Sequence, residues 1–110
     1  MPTPENLENM LQELRRGLIM LAVLSQLARQ QYGYALLKLL DEKGLTVDQG
    51  TLYPLLRRLE AQGLLQSAWN VEGGRPRRYY AISSEGKKLL PQLKSEWEGM
   101  VQAMNKLLKA

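Results

Sequence analysis

Five of the eight arginines, in a chain that has neither histidine nor cysteine, set the chemistry open to this sequence. Arg57 and Arg58 stand side by side, and Arg75, Arg77 and Arg78 crowd the stretch "VEGGRPRRYYAIS" at 71–83. A guanidinium is a permanently charged planar fork suited to phosphate and to other flat acceptors. Between Arg57 and Lys88 seven basic side chains face three acidic ones, so that third of the chain carries the whole net charge of +4. Covalent chemistry is poorly provided for. Thiolate, zinc and histidine-based acid–base pairs are excluded by composition, and the carboxylates are scattered. "EGGR" lacks the Gly-Lys-Ser/Thr ending and following helix of a phosphate-cradling loop. An enzyme is not expected, nor a metal site or a cofactor; recognition of a polyanion is.

The elements that must position these arginines follow from the spacing of the leucines. Leu7, Met10, Leu11 and Leu14 mark a helix that starts near Glu5 and becomes apolar all round from Leu18 to Leu27. A second helix is predicted from about Tyr34 to Lys43, stopped by Gly44, with a stub of strand at Leu45–Val47 after it. A third covers roughly 49–62 on the stripe Leu52, Leu55, Leu56 and Leu59, and ends at Gly63. Asp48 and Thr51 are both candidate caps for it; from Asp48, Pro54 falls past the first turn and removes a backbone hydrogen bond. Residues 65–71 and 77–82 read as a β-hairpin around Glu72–Pro76, and Ser83 or Ser84 caps a last helix from about Glu85 to Leu108 with Pro91 early in it.

Helix, helix, helix, hairpin, long helix is the order of a winged helix-turn-helix, so the expected fold is mainly α with one small hairpin. On the third helix the face opposite the leucines is Gly50, Pro54, Arg57 and Ala61, bordered by Tyr53 and Arg58. Small residues there allow close approach to a groove, and Gln49, Thr51 and Tyr53 lie at the end where a recognition helix meets bases and phosphates. Arg57 suits a phosphate or the O6/N7 edge of guanine. The hairpin tip would then be a wing, its arginines meeting flanking phosphates or the minor groove, with Arg75 and Arg77 favoured over Arg78. Trp69 and Tyr80, on half-buried strands, are expected in the core. Tyr32 and Tyr34 suit either packing or a phosphate contact.

Three blocks, "YGYALLKLL" (32–40), "GTLYPLLRRLEAQGLL" (50–65) and "GGRPRRYYAISSEGKKLL" (73–90), resemble the signature blocks of the PadR family of transcriptional regulators, in order and at the expected spacing. The single long C-terminal helix is similar to the small-protein branch of that family. The resemblance implies a dimeric winged-helix repressor that binds double-stranded DNA at a palindromic operator and releases it when a small aromatic or drug-like effector binds. It implies DNA-side roles for Tyr34, Thr51, Tyr53, Arg57, Gly74, Arg75 and Arg77, and an effector platform at Trp97.

The apolar stripes of the first and last helices are longer than a small core can use, which leaves a large patch on a monomer. Leu7, Met10, Leu11 and Leu14 are expected to meet Leu93, Trp97, Met100, Val101 and Met104 of a second copy. Trp97 suits two roles there, a packed anchor or a platform for a planar aromatic molecule, with Met10, Leu14, Leu93, Met100 and Val101 around it. One domain over 1–110 is expected, with about 5–83 binding DNA and about 84–110 dimerising. Residues 1–13 hold three glutamates and no basic n-region, and the run "LIMLAVL" is too short for a bilayer. A cytoplasmic protein with no membrane contact is expected. The alternatives are a winged-helix module for an acidic protein or lipid surface, and a regulator of the same type without an effector.

Overall fold

A computed structural model describes residues 4–109. The chain runs α1 (Pro4–Gln26), β1 (Gln31–Tyr32), α2 (Gly33–Glu42), α3 (Gln49–Ala61), β2 (Leu65–Asn70), a single 3-10 turn at Glu72–Gly74, β3 (Arg77–Ile82) and α4 (Ser84–Leu108). The ends of the chain included in the 1–110 and 84–110 expectations lie outside the described residues. Helix, helix, helix, hairpin and long helix stand in the order that the leucine spacing predicts.

One core explains the packing. Val23 and Leu24 of α1, Leu27 just past its end, Leu36 and Leu40 of α2, and the α3 stripe Leu52, Leu55, Leu56 and Leu59 are all buried together. Leu65, Tyr80 and Ile82 close it from the hairpin. Each such side chain contributes about 1.5–3 kcal/mol through burial, so the four α3 leucines hold that helix firmly and turn its other face outward.

The N-cap of α3 is Asp48, whose carboxylate accepts the Thr51 amide at 2.7 Å. Pro54 therefore sits inside the helix, and the cap and the leucine stripe outweigh the hydrogen bond it removes. The helix ends in a Schellman motif: the Gly63 and Leu64 amides donate to the Glu60 and Leu59 carbonyls, each at 2.9 Å. Gly63 takes φ +81°, a conformation that costs a side chain dearly, which is why the chain can turn so sharply from helix into wing.

The sheet has three antiparallel strands in the order β1-β3-β2. Its short third strand is at Gln31–Tyr32, pairing with Tyr80 and Tyr79, and not at Leu45–Val47 as the sequence suggested. Leu45 is used instead at the α2 end, where its amide donates to Leu40 O at 2.9 Å and its side chain packs on the core. Trp69 also departs from expectation: it is 66% exposed. The register pairs Leu65 with Ile82, Ser67 with Tyr80 and Trp69 with Arg78, all on one face. The first pair and Tyr80 reach the core, but the hairpin runs on past the body, so Trp69 shares the inward face with no core left beneath it.

Ser83 joins three elements. Its Oγ accepts the Gly86 amide at 3.0 Å to cap α4 and donates to the Gly63 carbonyl at 2.6 Å, while its own amide donates to Leu64 O at 3.0 Å. Gly86 is buried at the same joint, where a Cβ would strike the Leu64 carbonyl and the Ile82 side chain.

Candidate nucleic-acid interface

The outward side of α3 carries Thr51, Pro54, Arg57 and Arg58, all exposed, beside a half-buried Tyr53. The Tyr53 ring lies directly on Gly33 at the start of α2, where a Cβ would collide with it. The glycine between Tyr32 and Tyr34 thus makes room for a side chain of α3. Tyr34 itself is 52% exposed with the Lys38 ammonium 5.7 Å from its ring, so of the two tyrosines left open by the sequence it is the one that faces solvent. Tyr32 packs edge-on against Tyr79, centroids 5.5 Å apart.

The three wing arginines differ in their surroundings. Arg75 follows the Gly73–Gly74 tip and is exposed. The Arg77 guanidinium lies over the Tyr32 ring, 4.5 Å from its centroid, and the residue is exposed. Arg78 is committed to the protein: Nη2 donates to Glu60 Oε1 at 2.8 Å and Nε to Ser67 Oγ at 3.0 Å. Ser67 Oγ in turn donates to the other Glu60 oxygen. This closed triad ties the wing to the C-terminal half of α3. Glu60 and Ser67 were not among the expected site residues; their partners lie 7, 11 and 18 positions away in the chain. Among the described residues, Arg57, Arg75 and Arg77 have no carboxylate within ion-pair distance.

Between α3, the start of α2 and the wing lies an open cleft of about 360 Å³, lined by Tyr34, Tyr53, Arg57, Trp69, Arg77 and Arg78 among others, with no carboxylate among its described lining residues. A larger groove of about 610 Å³ separates α1 from α3. There Arg15, Arg16 and Arg58 share the walls with Glu8 and Asp48, so the mixed charge suits a polyanion less well. The cleft brings together Tyr34, Tyr53, Arg57, Arg77 and Arg78; Gln49, Thr51, Arg58, Gly74 and Arg75 lie outside its lining.

Residues 20–92 match the transcriptional regulator PadR-like family. The chain belongs to the PadR family. It is 39% identical over 83 residues to the transcriptional regulator Rv3488 of Mycobacterium tuberculosis, covering 74% of this chain and 78% of that one. A crystal structure of a PadR family transcriptional regulator from Eggerthella lenta superposes with a TM-score of 0.87 at 43% identity, over 96% of this chain and 95% of the other. A PadR-like transcriptional regulator from Bacillus cereus gives 0.78 at 28% identity, over 89% and 98%. The winged-helix fold and a DNA-binding regulatory role are thereby those of the PadR family, whose members are transcriptional regulators and not enzymes. Among the described residues no helix is long and apolar enough to cross a membrane.

The expected assembly and effector residues stand elsewhere on the PadR scaffold. Leu7, Met10 and Leu14 of α1 and Trp97, Met100 and Met104 of α4 are exposed at helical spacing. Leu11 and Val101 are half-buried, and Leu93 packs against the chain's own core.

Proposed function

We propose that this PadR-family chain is a cytoplasmic homodimeric repressor that reads a palindromic operator and is released by a planar aromatic effector. The observation that carries the proposal is the distribution of exposed side chains. Arg57, Arg58, Arg75 and Arg77, all exposed and outside the ion pairs of the described residues, stand together on α3 and the wing, whereas nine exposed large apolar residues fall on α1 and α4. Residues 5–83 read DNA in this scheme and 84–110 dimerise, the α1 stripe of one copy against the α4 stripe of the other. The two recognition helices then stand about one DNA turn, ~34 Å, apart.

Thr51, Tyr53 and Arg57 with Gln49 and Arg58 enter the major groove, while Gly74, Arg75 and Arg77 follow the flanking backbone. Trp97 at 41% exposure, beside exposed Met100 and Met104, supports an effector platform at the dimer seam. An effector there shifts the population of half-site distances and so the affinity for DNA.

The test is binding to an inverted repeat from the DNA upstream of the chain's own gene against a random duplex of equal length. The repeat is expected to bind at least tenfold more tightly. Equal affinity for both refutes sequence-specific regulation. Quenching of Trp97 by a panel of planar aromatics, in a Trp69→Phe background, tests the effector; no response across the panel refutes that part alone.

A further inference from the structure

The geometry points to Trp69 as a DNA-contacting residue: the cleft between wing and recognition helix seats one strand's sugar–phosphate backbone, with the indole against the sugars. The inference rests on the DNA-binding role and adds a residue that no motif assigns.

Trp69 is two-thirds exposed on the strand face that Arg78 ties to α3, past the point where that face reaches the core. Its ring is held in place from beside. The Arg78 carbon lies 6.0 Å from the Trp69 centroid and 5.5 Å from that of Tyr80, and Arg78 is itself pinned by Glu60 and Ser67. The exposed indole therefore stands beside a guanidinium that the body itself holds in place.

The lining also selects the occupant. A protein partner of ordinary composition would bring apolar side chains, but three guanidinium groups line this cleft beside the rings. A lipid surface is broad and flat, whereas this cleft is a recess between α3 and the wing. Deoxyribose-phosphate alternates an apolar ring face with a charged group, which matches Trp69, Tyr53 and Tyr34 set among Arg57 and Arg77. Apolar contacts to the sugars carry no direct sequence information and, unlike phosphate contacts, release no counterions.

The test uses the full chain carrying 5-fluorotryptophan, whose two fluorine lines are assigned with Trp69→Phe. Anisotropy of a labelled duplex of about 30 base pairs, random in sequence and at low salt, measures binding. Trp69→Ala is expected to weaken binding about tenfold with the salt slope unchanged, Trp69→Phe to retain most of the affinity, and the Trp69 line to shift on saturation. Full-affinity binding by Trp69→Ala, together with an unmoved Trp69 line, overturns the inference and leaves the DNA-binding role standing. Failure of the unaltered chain to bind any duplex overturns both. The fluorine line reads the contact even if the alanine variant folds poorly.

Discussion

Arg77 and Arg78 are neighbours in sequence and opposites in structure, and that contrast gives a quantitative prediction. Arg77 rests on Tyr32 with no carboxylate beside it, whereas Arg78 is held by Glu60 at 2.8 Å with Ser67 bridging the two. Replacing Arg77 by alanine removes one phosphate contact per wing, and log affinity against log salt becomes shallower by about 0.9 per contact. From ~50 to ~200 mM salt each lost contact makes the fall in affinity about threefold smaller. Replacing Arg78 removes an internal ion pair instead. Its side chain and that of Glu60 are 37% and 28% exposed, so solvent discounts the pair, and the loss is about 1–2 kcal/mol of stability. Urea unfolding of Arg78→Ala, Glu60→Gln and the double variant should show a coupling of about 1 kcal/mol, since both single variants break the same contact. The duplex salt slope of Arg78→Ala should equal that of the unaltered protein, with a moderate loss of affinity as the wing loosens. Should Arg78→Ala flatten the slope as much as Arg77→Ala, with no coupling to Glu60, the assignment of Arg78 to positioning would be wrong.

Gly86→Ala should destabilise the fold by about 1–3 kcal/mol, because a methyl group there has only the Leu64 carbonyl and Ile82 to displace; thermal melting reads it. Gly33→Ala should push the Tyr53 ring off its seat, and weaken operator binding more than stability, as duplex titration and melting on the same sample would show. Tyr53→Ala or Arg57→Ala should each cost roughly 1–3 kcal/mol and more on an operator than on random duplex; equal losses would make α3 a clamp and not a reader. Leu14→Glu with Met104→Glu should yield monomers in sedimentation velocity, since both are exposed on the stripes assigned to assembly.

The helices were legible because burial on one face writes a period into the sequence. Leu52, Leu55, Leu56 and Leu59 are all in the core, and Gly63 ends their helix as its position suggests. Tyr80 was legible for the same reason on a two-residue period. Trp69 was not. Alternation shows which face a strand residue takes but not where the body beneath that face ends, and the wing outruns its core between Tyr80 and Arg78. The Glu60–Ser67–Arg78 triad was equally hidden, since it depends on how α3 and two strands meet and not on any local spacing. The strand at Gln31–Tyr32 is two residues long, too short to show a period, and exists because β3 offers it an open edge.

The Ser83 joint bears on how such a protein can change its target. The α4 helix is pinned to the base of the wing and to the end of α3 by one hydroxyl, one amide and a glycine with no room to spare, so a swivel there would break several contacts at once. In a dimer built on α4, the gap between half-sites is then set at the helix seam, where the proposed effector also acts, and not by a linker. One base pair inserted at the operator centre turns a half-site by about 35° and moves it by about 3.4 Å, with no linker to take up the error. Lineages of this architecture can reletter an operator through α3 and the wing, but they can respace it only by recutting the helix seam.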